Sequence, residues 1–150
     1  MDEYYMNEAI KEAEEAFRQD EVPIGCVIVR NGEIIARAHN TKIQDNNSLA
    51  HAEINALIIA QRILNTKYLY DCEMFVTLEP CAMCTGAVIN ARLGRLVYAL
   101  REPKTGCCGS QYNLPEDNKF NHKVEIKSGV EEQKVKEMMQ SFFASKRGNK

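Results

Sequence analysis

Apolar side chains recur every three or four positions near the start of the chain, at Met6, Ala9, Ile10, Ala13 and Phe17. That spacing predicts an amphipathic helix over residues 2–19. The period then changes. Residues 22–29 are apolar and β-branched, Asn31-Gly32 follows, and residues 33–38 resume an apolar run. Two strands joined by an Asn-Gly turn are expected there. Residues 40–49 are polar and read as a loop. From Ala52, the run Ile54, Leu57, Ile58 and Leu64 predicts a largely buried helix ending near Asn65. Residues 74–77 predict a short buried strand. Pro80 suits a helix start, where its missing amide needs no partner, and that helix should reach about Ala91, ahead of Gly94. Residues 96–100 predict another strand. Residues 102–121 carry Pro103, Gly106, Gly109 and Pro115 and should be irregular. Residues 124–126 read as a last strand or strand-like segment. A closing helix over residues 130–146 would carry Val135, Met138, Met139, Phe142 and Phe143. The order α-β-β-α-β-α-β, then a strand-like segment and a helix, fits an α/β fold in which helices cover a mixed sheet. No repeat or linker divides the chain, so residues 1–150 should form one domain, with a tail at about 147–150 that frays.

Composition narrows the class. A chain of 150 residues can enclose one real core, and its six cysteines are too few for a disulfide scaffold. No apolar run approaches a membrane span, and no charged-then-apolar leader opens the chain. A cytoplasmic protein with reduced thiols and no membrane partner is expected. Cys107 and Cys108 are neighbours, which rarely bond to each other without strain. The net charge of −2 says little, but its distribution says more. Residues 1–21 hold eight acids against two bases, and residues 119–150 hold eight bases against four acids. Such asymmetry fits a face for a polyanion, and it equally fits a solvated helix with scattered lysines.

The chemistry concentrates in two short segments, His51-Ala52-Glu53 and Pro80-Cys81-Ala82-Met83-Cys84. Two thiols three residues apart share a helix face and can grip one ion, and His51 adds a third ligand. Helix N-termini favour the thiolate, the form that binds zinc. Three protein ligands leave a fourth tetrahedral position for water, as in catalytic zinc sites. H-x-E…P-C-x-x-C is the established pattern of zinc-dependent nucleobase deaminases, in which the glutamate moves protons and is not a ligand. Zinc lowers the pKa of bound water to about 7, so a hydroxide can attack an amine-bearing ring carbon at neutral pH. Glu53 is placed to take the water proton and return it to ring nitrogen and leaving amine. A structural zinc would need a fourth ligand from Cys26, Cys72, Cys107 or Cys108, none of which forms a second Cys-x-x-Cys. A redox site would leave Glu53 without a role.

Further segments carry a closer resemblance. They are Glu21-Val22-Pro23-Ile24-Gly25, Ala50-His51-Ala52-Glu53-Ile54 and Thr77-Leu78-Glu79-Pro80-Cys81-Ala82-Met83-Cys84. Lys104-Thr105-Gly106-Cys107-Cys108-Gly109-Ser110, Asn121-His122-Lys123-Val124-Glu125-Ile126, Phe142-Phe143 and Arg147 complete them. Together they resemble the bacterial tRNA-specific adenosine deaminase family of the cytidine deaminase-like superfamily, from about residue 2 to residue 147. The resemblance implies a three-layer α/β/α fold with a mixed five-stranded sheet. It implies a homodimer with one zinc per subunit, held by His51, Cys81 and Cys84, with Glu53 as proton shuttle. The implied substrate is the wobble adenosine in the anticodon stem-loop of an arginine tRNA, converted to inosine. Asn40 would contact the flipped nucleoside, and Val22 and Leu78 would line its pocket. Glu102, Lys104, Phe142, Phe143 and Arg147 would meet the RNA, with one of the two phenylalanines in the core and one near the pocket. The sequence departs from the family at two places. Glu102 stands where Asp is usual, and Asn47-Ser48-Leu49-Ala50 stands where Asp-Pro-Thr-Ala is common.

Two other readings use the same residues. A deaminase of free cytosine, cytidine or guanine would keep the zinc and Glu53 but has no use for a basic C-terminal helix. A non-catalytic zinc-stabilised RNA-binding module would need four protein ligands and would unfold on chelation.

Overall fold

The structure, a computed structural model, describes residues 1–148. Nine longer elements follow in order: α1 (Asp2–Arg18), β1 (Gly25–Arg30), β2 (Glu33–His39), α2 (Ala52–Leu64), β3 (Cys72–Leu78), α3 (Ala82–Asn90), β4 (Arg95–Leu100), β5 (Glu125–Ser128) and α4 (Glu132–Gly148). A short 3-10 turn at Leu114–Glu116 interrupts the long irregular stretch. The sheet order is β2-β1-β3-β4-β5. β1 runs antiparallel to β2 and β3, whereas β3, β4 and β5 are parallel. This is the mixed five-stranded sheet expected of the family.

The inner strands are buried on both faces, which is why the sequence shows unbroken apolar runs there. Cys26, Ile28, Met74, Val76, Leu96 and Tyr98 join one core with Ala52, Ala56 and Val88 of α2 and α3. The intervening Val27, Val29, Phe75, Val97 and Ala99 join the other core with α1 and with Val135 of α4. The period of two assigns alternate residues to opposite layers, giving α/β/α. No helix is long and apolar enough to cross a membrane among the described residues.

Several boundaries moved for local reasons. β1 starts at Gly25 rather than at residue 22, because Ile24 N donates to Val22 O in a tight turn and Pro23 has no amide to donate. Gly25 has a second constraint. A Cβ there would meet the Ala9 carbonyl and the Ala13 amide of α1, both backbone. Gly25→Ala should therefore cost about 2–3 kcal/mol, read as a lowered urea midpoint. α3 starts at Ala82 and not at Pro80: Cys81 is the N-cap, with φ −76° and ψ −179°. α4 is helical to Gly148, so Arg147 stands in a helix, while residues 149–150 of the expected frayed tail lie outside the described residues.

The uneven charge is partly consumed inside the molecule. α1 and α4 share one side of the sheet. Lys127 pairs with Asp2 at 2.8 Å, Lys134 Nζ donates to Asn7 Oδ1 at 2.9 Å, and Lys146 stands 3.2 Å from Asp20. Arg95 joins Asp2, Glu73 and Glu125. Its hydrogen bond, followed by that of Lys127, holds the Asp2 carboxyl well below its ordinary 3.8. A carboxyl depressed by folding adds stability above its unfolded value and loses that contribution as pH falls through the folded one. Stability should therefore fall on acidification below the ordinary 3.8, and Asp2→Asn should flatten that slope in urea midpoints measured against pH.

Candidate active site

β3 and β4 are parallel and in register, with Leu78 opposite Leu100. Both strands thus deliver the chain to the same sheet edge, where ligand sites of open α/β sheets form. Glu79-Pro80-Cys81 leaves one strand and Arg101-Glu102 the other. α2 brings His51 to the same edge as its N-cap, with extended backbone at φ −73° and ψ 152°. His51 gives no side-chain cap to α2. Asn40 does so instead: Ala52 N donates to Asn40 Oδ1 at 2.9 Å. The residue just after β2 thereby fixes the helix that presents His51 and Glu53.

The three donors expected to converge do so. His51 Nδ1 lies 3.5 Å from Cys84 Sγ and 3.8 Å from Cys81 Sγ, and all three donor atoms lie within 4.8 Å of one another. Nitrogen and sulfur ligands at about 2.0 and 2.3 Å from one tetrahedral zinc stand about 3.6 Å apart. The donor set is therefore compatible with zinc. No fourth His, Cys, Asp or Glu joins the group among the described residues, and none of the six cysteines is in a disulfide. The Cys84 thiol bonded to Cys81, with the amides of Cys84 and Met83 and the His51 ring adding to it, holds Cys81 down at about 5 against burial. That same bond, with burial, pushes Cys84 far up. Metal ligation needs both sulfurs as thiolates, so a divalent cation bound here would displace their protons.

Glu53 lies in the first turn of α2 and is 3 % exposed. Its Oε1 is buried and accepts no hydrogen bond among the described residues. Burial pushes its carboxyl up to about 7, and the Cys81 charge adds to the rise. A buried, unpartnered carboxylate oxygen is costly, so its persistence beside three metal-type donors marks chemistry rather than packing.

A cavity of about 260 Å³ has Asn40, Val22, Glu21, Ile43, Phe142 and Lys146 among its walls, and Asn40 links it to the start of α2 through its bond to Ala52 N. Val22 and Asn40 line one space. Phe142 is both buried and in that wall, whereas Phe143 is 43 % exposed. Leu78 is half-buried at the end of β3, Glu102 is half-buried, and Lys104 and Arg147 are exposed. In the variant loop before His51, Asn47 Oδ1 accepts from Leu49 N at 2.9 Å and Leu49 projects outward.

Two buried carboxylates have structural roles that the sequence did not assign to them. Glu21 is 2 % exposed and accepts from the amides of Ile43 and Gln44, which pins the 40–49 loop beside the cavity. Glu79 is 3 % exposed and gathers the 102–110 loop. Both precede an apolar or proline residue and carry no spacing signal.

The model of the MafB19-like deaminase family matches residues 1–147. A tRNA-specific adenosine deaminase of Bacillus subtilis (strain 168) is 47% identical over 149 residues, covering 99% of this chain and 92% of that protein. A solved structure from work on A-to-I editing by tRNA:A34 deaminases at the wobble position of transfer RNA has a TM-score of 0.87 and 37% identity, over 90% of this chain and 98% of the other. A guanine deaminase from Nitrosomonas europaea has a TM-score of 0.80 and 25% identity, over 95% of this chain and 84% of the other.

Proposed function

The chain belongs to the MafB19-like deaminases and to the tRNA-specific adenosine deaminase family, and from that premise we propose that it converts the wobble adenosine of an arginine tRNA anticodon to inosine by hydrolysis. The carrying observation is the buried, unpartnered Glu53 oxygen beside the convergent His51, Cys81 and Cys84 donors.

His51, Cys81 and Cys84 would hold one zinc per subunit. When bound, zinc supplies the Lewis acidity that makes water a nucleophile at neutral pH. Glu53 Oε1 takes a proton from the attacking water and gives it to purine N1 as the carbon–oxygen bond forms at C6. It then takes the second proton, from the new C6 hydroxyl, and delivers it to the exocyclic nitrogen; the carbon–nitrogen bond breaks, ammonia leaves and the C6 carbonyl of inosine forms. A carboxyl held near neutrality can both accept and release the proton. Asn40 keeps its Oδ1 on Ala52 N, so its NH2 is the part left for the nucleoside. The base must leave its stack to reach the site, and the cavity walled by Val22, Asn40 and Phe142 offers an apolar surface beside a polar one. In this reading Leu78 would line the pocket, and Glu102, Lys104, Phe143 and Arg147 would supply sugar, base and phosphate contacts.

Residues 1–150 act as one deaminase domain. A homodimer is supported by the outer face of α2, where Ile58, Ile59 and Ile63 are exposed and a hollow runs to Tyr68 and Ala87. Its substrate places the enzyme in the cytoplasm.

The test is a substrate panel: the stem-loop with adenosine at the wobble position beside free guanine, cytosine, cytidine and adenosine. Inosine in the stem-loop alone is expected. Turnover of a free base with an untouched stem-loop would transfer the same machinery to a small-molecule deaminase.

A further inference from the structure

Glu79 lies two residues before Cys81 and takes no part in the donor cluster. Its carboxylate is surrounded by a single loop. Glu102 N donates to Oε1 at 3.0 Å, and the Ser110 hydroxyl donates to the same oxygen. Cys108 N and Ser110 N donate to Oε2 at 3.1 and 3.0 Å. Gly106 lies against the carboxylate, and a Cβ there would meet Glu79 Cδ and Oε2 as well as the Glu102 carbonyl. The segment thus closes as a ring around a charge that comes from outside it. Cys107 N also donates to Pro80 O at 2.9 Å, which ties the ring to the start of α3.

An irregular segment of this kind has little apolar surface with which to fold itself. Four donors aimed at one buried carboxylate fix it instead, since charge-assisted hydrogen bonds are the strong ones and the donors would otherwise be stranded. The ring carries Glu102, half-buried, and Lys104, exposed. Glu102 gives its amide to Glu79, and its Oε1 accepts Lys104 N at 3.1 Å, so both residues hang from the same anchor.

We infer that Glu79 is a positioning residue for the RNA: its carboxylate, fixed at the exit of β3, sets where Glu102 and Lys104 stand at the rim of the site. The inference rests on the tRNA reading above. Glu79 is not a proton carrier, because both its oxygens are occupied by donors and it is hidden from solvent. Glu79→Gln would turn an NH2 group toward amides that themselves donate, which loosens the ring. Cys81 keeps its place, because its carbonyl receives Thr85 N at 2.9 Å within α3.

The experiment measures kcat, KM and bound zinc on the anticodon stem-loop for wild type, Glu79→Gln, Ser110→Ala, Lys104→Ala and the Glu79→Gln/Lys104→Ala pair. Glu79→Gln should raise KM about tenfold with kcat within about threefold and zinc unchanged, the pattern of lost uniform binding. Lys104→Ala should raise KM in the wild-type background and add little in the Glu79→Gln background, because the two act through one loop. If Glu79→Gln does not fold, Ser110→Ala decides the matter, with an expected rise in KM of about threefold at constant kcat. An unchanged KM overturns the inference, as do additive effects of the pair, or a fall in zinc and kcat together. A wild-type protein inert toward the stem-loop overturns the tRNA reading and this inference with it. An active wild type whose Glu79→Gln and Ser110→Ala variants keep the normal KM overturns this inference alone.

Discussion

Glu53→Gln should lower kcat on the stem-loop by about 10³-fold or more, with zinc content and RNA affinity within about twofold of wild type. Gln fills the same volume and can accept one hydrogen bond, but it cannot carry a proton between water, N1 and the leaving nitrogen. Burial raises the Glu53 carboxyl to about 7, and the titratable groups nearest it, Cys81 and Cys84, are the ones assigned to the metal. A loss of only a few-fold would mean that another group moves the proton, and zinc loss in Glu53→Gln would mean that Glu53 serves the metal.

Cys84→Ala should abolish both zinc binding and turnover. Cys84 is fully buried and faces His51 Nδ1 at 3.5 Å, so its removal leaves one thiol and one imidazole at the start of two helices. Two ligands do not make a closed or catalytic zinc site. The same change should remove the linkage between zinc and stability. A ligand that binds only the folded state adds about 2.7 kcal/mol at a free concentration one hundred times its dissociation constant. Wild type should therefore melt higher with zinc than with chelator, whereas Cys84→Ala should melt at one temperature in both. The variant should stay folded, because the core of Met74, Val76, Leu96 and Tyr98 does not depend on the metal. Wild type that unfolds outright on chelation would favour a structural zinc.

The elements were legible because their periods differ. α1 shows helical spacing, and the buried strands β1, β3 and β4 show short, mostly apolar runs, with a helix between the parallel neighbours β3 and β4. The metal ligands were legible for a different reason: a Cys-x-x-Cys has a fixed spacing, and the same helix-start geometry that favours thiolates also brings both sulfurs to one side. Positions set by partners far away in sequence were not legible. Asn40 caps α2 across twelve residues, and Glu79 reaches Ser110 across thirty-one. Nothing in the local pattern distinguishes such a glutamate from an exposed one. The start of α3 was misplaced by two residues because Pro80 satisfies the rule for a first helical position, yet its carbonyl is taken by the Cys107 amide and the helix opens after Cys81. Phe142 shows the same limit, since spacing marks it as apolar but not that it packs on Phe17 with ring centroids 5.3 Å apart while walling the cavity.

The central claim is hydrolytic deamination of one RNA adenosine, and one measurement reaches it most directly. Unmodified arginine tRNA would be incubated with zinc-loaded protein in water enriched in oxygen-18, then digested and examined by mass spectrometry. The account predicts inosine at the wobble position alone, each carrying one heavy oxygen at C6, with equimolar ammonia released. Adenosine left intact at that position, while free guanine or cytidine is deaminated in the same tube, would contradict it.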